Sequence, residues 1–241
     1  MAERATHRHS ETLARCPVLG GLGPHEIDRL NTQCVWRRYD AGAEILSHQD
    51  DTTDVYFVAA GTVRVVIASV QGKDTVFRDI EAGDYFGEMS AIDGKGRSAS
   101  VVARTNATVA KMPASVFREL AMSHPAVCYG ILERAVRQIR YLTERVNEFR
   151  ILDVRHRIFV ELLRLSRAPA GGDGEAVISP PPTHQEIANR VSTRREAVAR
   201  ELKQLERDGR LRRRRGALVI PDPALLAEMV EKARQGLDEG N

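Results

Sequence analysis

An α+β chain is predicted: an N-terminal β-roll, jelly-roll-like, then a long helix, then a C-terminal winged helix-turn-helix. Three observations predict it. Short runs rich in β-branched and aromatic residues occupy Cys34 to about Met112. One heptad seam runs unbroken from Cys128 to Phe149. A basic segment with paired helix-start signals follows near the end. At 241 residues the chain is long enough for two ordinary domains.

Residues 1–16 read as a polar tail. Met1 to Ser10 is rich in His and Arg and has no apolar core, so it is not a secretory signal. No apolar run approaches the length that spans a bilayer, and a cytoplasmic, non-membrane protein is expected. Cys16, Cys34 and Cys128 lie far apart and suggest reduced thiols rather than a metal or iron–sulfur site. The histidines form no metal-spaced group and no nucleophile motif is present, so neither a metal nor an enzyme activity is expected.

Residues 17–124 form the β unit. Val55-Tyr56-Phe57-Val58, Val63 to Ile67 and Thr75-Val76-Phe77 read as strands, punctuated at Gly42, Gly61, Gly72 and Gly83. Ser100 to Ala103 and Ala107 to Ala110 continue them. Within this unit, Phe86 to Ala99 is the most chemically suggestive stretch. It offers an acid, Glu88, an arginine, Arg97, a small-residue turn and a short helix. A carboxylate accepts from a sugar hydroxyl, a guanidinium grips phosphate oxygens in bidentate fashion, and free N–H groups at a helix start attract anions. The stretch reads as a sensor for a ligand with both groups.

Ala114 to Ser123 reads as a short helix, and residues 125–152 as a long one. Cys128, Leu132, Ala135, Ile139, Leu142, Val146 and Phe149 alternate at spacings of four and three, flanked by charges. That is a coiled-coil seam, and it predicts a homodimer.

Residues 153–221 form the last domain, with a helix from Asp153 to Ser166, a loop from Ala168 to Gly174 and a strand at Val177 to Ser179. Between Thr183 and Gly216 eleven lysines and arginines face five acids, a balance of +6 in a chain of net charge +3. Such a segment suits a polyanion. Thr183-His184-Gln185-Glu186 and Thr193-Arg194-Arg195-Glu196 both have the form of a capping box. They predict helices from about His184 to Arg190 and Arg194 to Glu206, with a helix-turn-helix turn between. Ile187, Ala188, Val191, Val198, Leu202 and Leu205 supply the packing. Arg195, Glu196 and Arg200, in the first turns of the second helix, match the groups that read guanine and cytosine edges. Arg210 to Ile220 reads as a basic hairpin turning near Gly216, a wing whose Arg213, Arg214 and Arg215 meet phosphates. Residues 222–241 read as a terminal helix or tail.

Three blocks in order resemble the CRP/FNR superfamily of bacterial transcription regulators, from about residue 17 to residue 221. Gly83-Asp84-Tyr85-Phe86-Gly87-Glu88 with Arg97-Ser98-Ala99 resembles its phosphate-binding cassette. Leu152-Asp153-Val154 resembles its hinge, and Arg195 to Arg200 its recognition helix. The resemblance implies a cyclic-nucleotide-binding domain with Gly87, Glu88, Met89, Ser90, Arg97, Ser98 and Ala99 at the ligand. Glu88 takes the ribose hydroxyl and Arg97 the cyclic phosphate. It also implies double-stranded DNA, read as a TGTGA-like inverted repeat with Thr183 and Arg194 among the DNA-binding residues, and RNA polymerase as a partner.

The family's prototype has two adjacent hydroxyl residues on the dimer helix where this chain has Leu142 and Thr143. Leu142 falls on the seam, which leaves Thr143 for the base. Cyclic AMP is the first expectation and cyclic GMP the second, because Ser98 follows the arginine; no cofactor is implied. Two other readings stay open: the same regulator with a different effector or none, and a cyclic-nucleotide-binding regulatory module of a signalling enzyme.

Overall fold

The computed structural model describes residues 12–67, 75–166 and 174–236. The expectations for Met1 to Ser10, for the turn at Gly72, for most of the loop after Ala168 and for the last five residues lie outside them. The chain divides into two compact units, residues 1–138 and residues 139–241.

In the first unit, two antiparallel four-stranded sheets carry the order β1-β8-β3-β6 and β2-β7-β4-β5. The strands are β1 (Val35–Tyr39), β2 (Glu44–Leu46), β3 (Val55–Ala60), β4 (Thr62–Ile67), β5 (Thr75–Glu81), β6 (Tyr85–Phe86), β7 (Ser100–Ala103) and β8 (Ala107–Met112). The period of two explains the layering. On β3, Val55 and Phe57 face one core while Tyr56 and Val58 face another. On β8, Ala110 and Met112 join the first and Ala107 and Val109 the second. The second core fills the space between the sheets with Leu46, Val63, Ile80, Val101 and Ala103.

The first core packs the other face of the sheet against helices. These are α1 (Pro24–Gln33), α3 (Ala114–Ser123) and the start of α4 (Pro125–Ile151), with 3₁₀ turns at Leu13–Arg15 and Pro17–Leu19. Leu13 is 0% exposed and Cys16 1%, so the polar tail ends before Leu13. Apolar side chains at these two positions belong to the β unit because its open sheet face needs covering. The short helix α2 (Glu88–Asp93) follows β6.

In the second unit, α5 (Val154–Leu165), α6 (His184–Arg190), α7 (Arg195–Arg207) and α8 (Pro223–Gln235) surround one core. A small antiparallel sheet, β10 (Arg212–Arg214), β11 (Ala217–Ile220) and β9 (Ala176–Ile178), covers it in that order. Leu226 and Val230 of α8 are buried in that core, so residues 223–235 are a structural helix of this unit rather than a tail. Among the described residues no helix is long and apolar enough to cross a membrane.

Candidate ligand site and nucleic-acid interface

The cassette is built on a turn that only glycine closes comfortably. Gly87 sits at φ +82°, and a Cβ there would lie 2.8 Å from Arg97 Nη1 and 2.9 Å from the Asp54 carbonyl oxygen. The missing side chain lets the Arg97 guanidinium tuck beneath the start of α2. Arg97 is 4% exposed. Its Nη1 donates to Gly87 O at 3.0 Å, and Nη2 donates to Asp54 O at 2.9 Å and Thr52 Oγ1 at 3.0 Å. Nε donates to the same hydroxyl at 3.3 Å. The guanidinium also faces the Tyr56 ring, which stacks on Phe86.

Among the described residues no carboxylate pairs with Arg97. The nearby Asp54 carboxylate is taken by Lys111 at 2.9 Å. Burial accordingly pulls the Arg97 pKa down from its ordinary value. A desolvated cation held directly only by carbonyls and a hydroxyl, with Asp54, Asp50 and Glu88 acting from a distance, is suited to an anionic partner. A bidentate phosphate contact requires the guanidinium to turn out of some of these bonds.

Glu88, at the first position of α2, is not open either. Arg134 of α4 reaches it at 3.1 Å and Asp84 at 2.8 Å. The same guanidinium donates to Tyr85 O and lies 3.9 Å from the Tyr85 ring centroid. Burial pulls its pKa down, but the two acids outweigh burial and hold it above the ordinary arginine value. No side chain caps the amides at the start of α2.

The other expected residues fall in different places. Met89 is 57% exposed, and Ser98 lies beside it with Oγ 3.8 Å from its sulfur. Ser90 is buried and donates to Gly96 O, which closes the loop rather than facing a ligand. Ala99 is half-buried. Thr143 is exposed on α4 in the second unit, and its hydroxyl donates to Ile139 O at 2.9 Å. Sequence reasoning missed Thr52, Asp54 and Tyr56 and treated Arg134 only as a flanking charge.

In the second unit, Thr183 caps α6 as expected. Its hydroxyl accepts from Glu186 N, and Glu186 returns a carboxylate to Thr183 N at 2.8 Å. The second capping box does not form. Helix α7 starts one residue late, with Arg194 as an N-cap that makes no side-chain bond. Thr193 N–H instead donates to Ala188 O at 2.9 Å, in a turn where Ser192 adopts φ +51°.

The late start releases Glu196 from capping. It leaves Arg194, Arg195, Glu196 and Arg200 exposed at the head of α7, while Val198, Leu202 and Leu205 are buried. The wing is present as β10 and β11, joined at Arg215 and Gly216. Its arginines are partly committed: Arg213 pairs with Glu206 of α7 at 2.6 Å, and Arg214 with Glu175 at 2.9 Å. Arg215 is exposed at the tip.

Residues 36–124 match the cyclic nucleotide-binding domain and residues 156–229 the Crp-like helix-turn-helix domain. The chain is 30% identical over 187 residues to the cAMP-activated global transcriptional regulator Vfr of Pseudomonas aeruginosa, covering 76% of this chain and 87% of that protein. Its fold is similar to that of the c-di-GMP responsive regulator CLP of Xanthomonas campestris, at TM-score 0.71 and 24% identity over 82% of this chain and 99% of the other. CooA of Carboxydothermus hydrogenoformans aligns at TM-score 0.74 and 20% identity, covering 88% and 94%. With these matches to both domains and to Vfr, and with a buried arginine beneath a glycine turn in one unit and a winged helix-turn-helix in the other, the chain belongs to the CRP/FNR superfamily of bacterial transcription regulators.

Proposed function

We propose that the chain is a cytoplasmic homodimer that binds cyclic AMP, with cyclic GMP as the competing effector, and then reads a TGTGA-like inverted repeat to regulate transcription through RNA polymerase. The observation that carries the ligand class is Arg97, a buried cation that no carboxylate pairs with among the described residues, beneath uncapped amides. The cyclic phosphate takes Arg97 and the amides around Gly87; the ribose takes Glu88 in competition with Arg134. Ser98 discriminates the base from within the cassette, and Thr143 does so from the other copy of the dimer.

The dimer follows from the seam. Leu132, Ile139 and Val146 are about 60% exposed on the single chain, an apolar stripe that a second copy covers. In the dimer, two copies of Arg195, Glu196 and Arg200 meet successive major-groove faces about one helical turn apart. Ligand binding controls this only through a difference in affinity for two conformers, typically worth about 1–3 kcal/mol.

The test is a titration of DNA binding with cyclic AMP and cyclic GMP side by side. Stimulation by neither overturns the effector. A second reading keeps the regulator and changes the effector. It is favoured by the internal partners that Arg97 and Glu88 already hold, and a structural relative, CLP, is c-di-GMP responsive. The signalling-enzyme module loses its ground, because residues 156–229 match the helix-turn-helix domain.

A further inference from the structure

Helix α6 ends at Arg190, where its last carbonyls need partners. Two arginines from other helices supply them. Arg145, near the end of α4, donates to Arg190 O. Arg157, on α5, donates through Nε to Val191 O at 3.2 Å and through Nη1 to Leu152 O at 2.9 Å. Cations at a helix C-terminus are favoured by the helix dipole as well as by the bonds themselves.

The two arginines share a third contact. Each guanidinium carbon lies 5.1 Å from the Phe149 ring centroid. Phe149 is the last position of the heptad seam and is 38% exposed. Arg145 is further pinned by Glu148 and Glu161, each at 3.2 Å, and these acids are 5% and 1% exposed. Arg164 braces both acids at 2.6 and 2.9 Å. Nothing in this arrangement is a loose surface pair.

We propose that Arg145 and Arg157 are positioning residues that set where the helix-turn-helix stands relative to the end of the seam. The chain of contact runs from Phe149 to the two guanidiniums, and from them to the carbonyls of Arg190 and Val191. From there it reaches α7 through the packing of Ile187 and Ala188 beside Val198 and Leu202. In a dimer the partner copy packs on Phe149, so this contact fixes the separation of the two recognition helices. The inference rests on the dimeric DNA-binding reading above.

The test is selection of duplexes from a random-sequence pool by the full chain, with cyclic AMP, with cyclic GMP and with neither. Wild type is compared with Arg145→Gln, Arg145→Lys and Arg157→Gln. Arg157 pairs with no carboxylate among the described residues, so its loss strands no buried acid, and Arg157→Gln decides the matter should Arg145→Gln fail to fold.

The variants are expected to enrich the same half-site bases as wild type, over a broadened range of half-site spacings. Affinity for the best wild-type site falls roughly tenfold, the low end of what a lost charged hydrogen bond is worth. Arg145→Lys recovers part of the spacing preference. Unchanged spacing with affinity within about twofold overturns the proposal. Loss of the half-site bases themselves overturns it too, because α7 is then damaged rather than displaced. A wild type that enriches single half-sites overturns the dimeric regulator reading and this inference with it, a result distinct from both variant outcomes.

Discussion

Arg134 Nη1 lies 3.1 Å from Glu88 Oε1, so helix α4 holds the acid expected to bind ribose. The pair is shielded: the Arg134 side chain is 12% exposed and that of Glu88 23%. Arg134→Ala strands Glu88, Asp84 and the Tyr85 carbonyl together, and is expected to cost about 2 kcal/mol in urea unfolding. Arg134→Lys recovers only part, because a point charge does not span two carboxylates. Arg134→Ala should raise nucleotide affinity, and Arg134→Lys by less, since ribose then meets no competitor or a weaker one for Glu88. Calorimetry showing weaker nucleotide binding in Arg134→Lys would sink the competition argument.

Arg97 and Gly87 act as one device. Arg97→Ala is expected to abolish nucleotide-stimulated DNA binding while leaving the fold intact by circular dichroism. Gly87→Ala should do nearly the same without touching a charge, because its Cβ would stand 2.8 Å from Arg97 Nη1 and the φ of +82° is strained for alanine. Thr52→Val removes the hydroxyl that accepts from Nε and Nη2, and should weaken nucleotide binding by roughly tenfold. Nucleotide affinity unchanged in all three places the ligand elsewhere.

Much of this site was hidden from the sequence for a physical reason. Glu88 and Arg97 are nine positions apart on one turn, and their chemistry is local. Thr52 and Arg97 are 45 positions apart, and Arg134 meets Tyr85 across 49, so only the packing of strands and helices brings them together. Periodic features were legible. Val55 to Val58 alternate between two cores, the seam lies on one face of α4, and Thr183 caps α6 with Glu186. The second capping box failed because the turn takes its residues first: with Ser192 at φ +51° and Thr193 N–H donating to Ala188 O, α7 begins at Arg195 and Thr193 is too far back to cap it. Leu13 and Cys16 were misread because a polar neighbourhood masks two apolar residues that cover a sheet.

Arg195 is exposed at the first position of α7, and the proposed reading sets its guanidinium against base edges rather than the backbone. Arg195→Ala should relax preference at one half-site position at a cost of about 1–3 kcal/mol. Arg213 behaves differently. It lies on the wing strand β10, where the proposed contact is to phosphate, so Arg213→Ala should weaken binding evenly across sequences and flatten the salt slope, by less than at an unpaired arginine because Glu206 holds it at 2.6 Å. Binding titrations against a set of single-base variants separate the two, and a uniform loss for Arg195→Ala would make it a phosphate contact.

Asp153 opens α5 by accepting from His156 N at 2.9 Å and from the His156 ring at 2.8 Å. Burial alone would raise its pKa, but these bonds outweigh burial and hold the carboxyl below the ordinary aspartate value. A carboxyl depressed on folding contributes stability above its unfolded pKa of about 3.9 and loses it as pH falls through the folded value. Asp153→Ala should cost about 1 kcal/mol at neutral pH. Asp153→Asn keeps a cap but cannot titrate. Its difference from wild type should be constant at neutral pH and shrink in the acid range; a difference that persists at the lowest pH refutes the assignment.

The exposed seam gives the last prediction. Leu132, Ile139 and Val146 are 59%, 62% and 59% exposed, and they recur at sevenfold spacing on one face of α4. About 60% of each side chain remains to be covered, worth about 1–2 kcal/mol apiece by area on each copy, which together with the rest of the seam is of the size needed to offset the entropy of association. Placing a charge at the middle of the three is the most disruptive single change, since Ile139→Asp sets two carboxylates facing each other in an apolar seam. Sedimentation should show wild type as a dimer and Ile139→Asp as a monomer with unchanged far-ultraviolet dichroism. Because two half-sites then bind independently, affinity for an inverted repeat should drop to that of a single half-site. A monomeric wild type, or a variant that still dimerises, removes the seam as the interface.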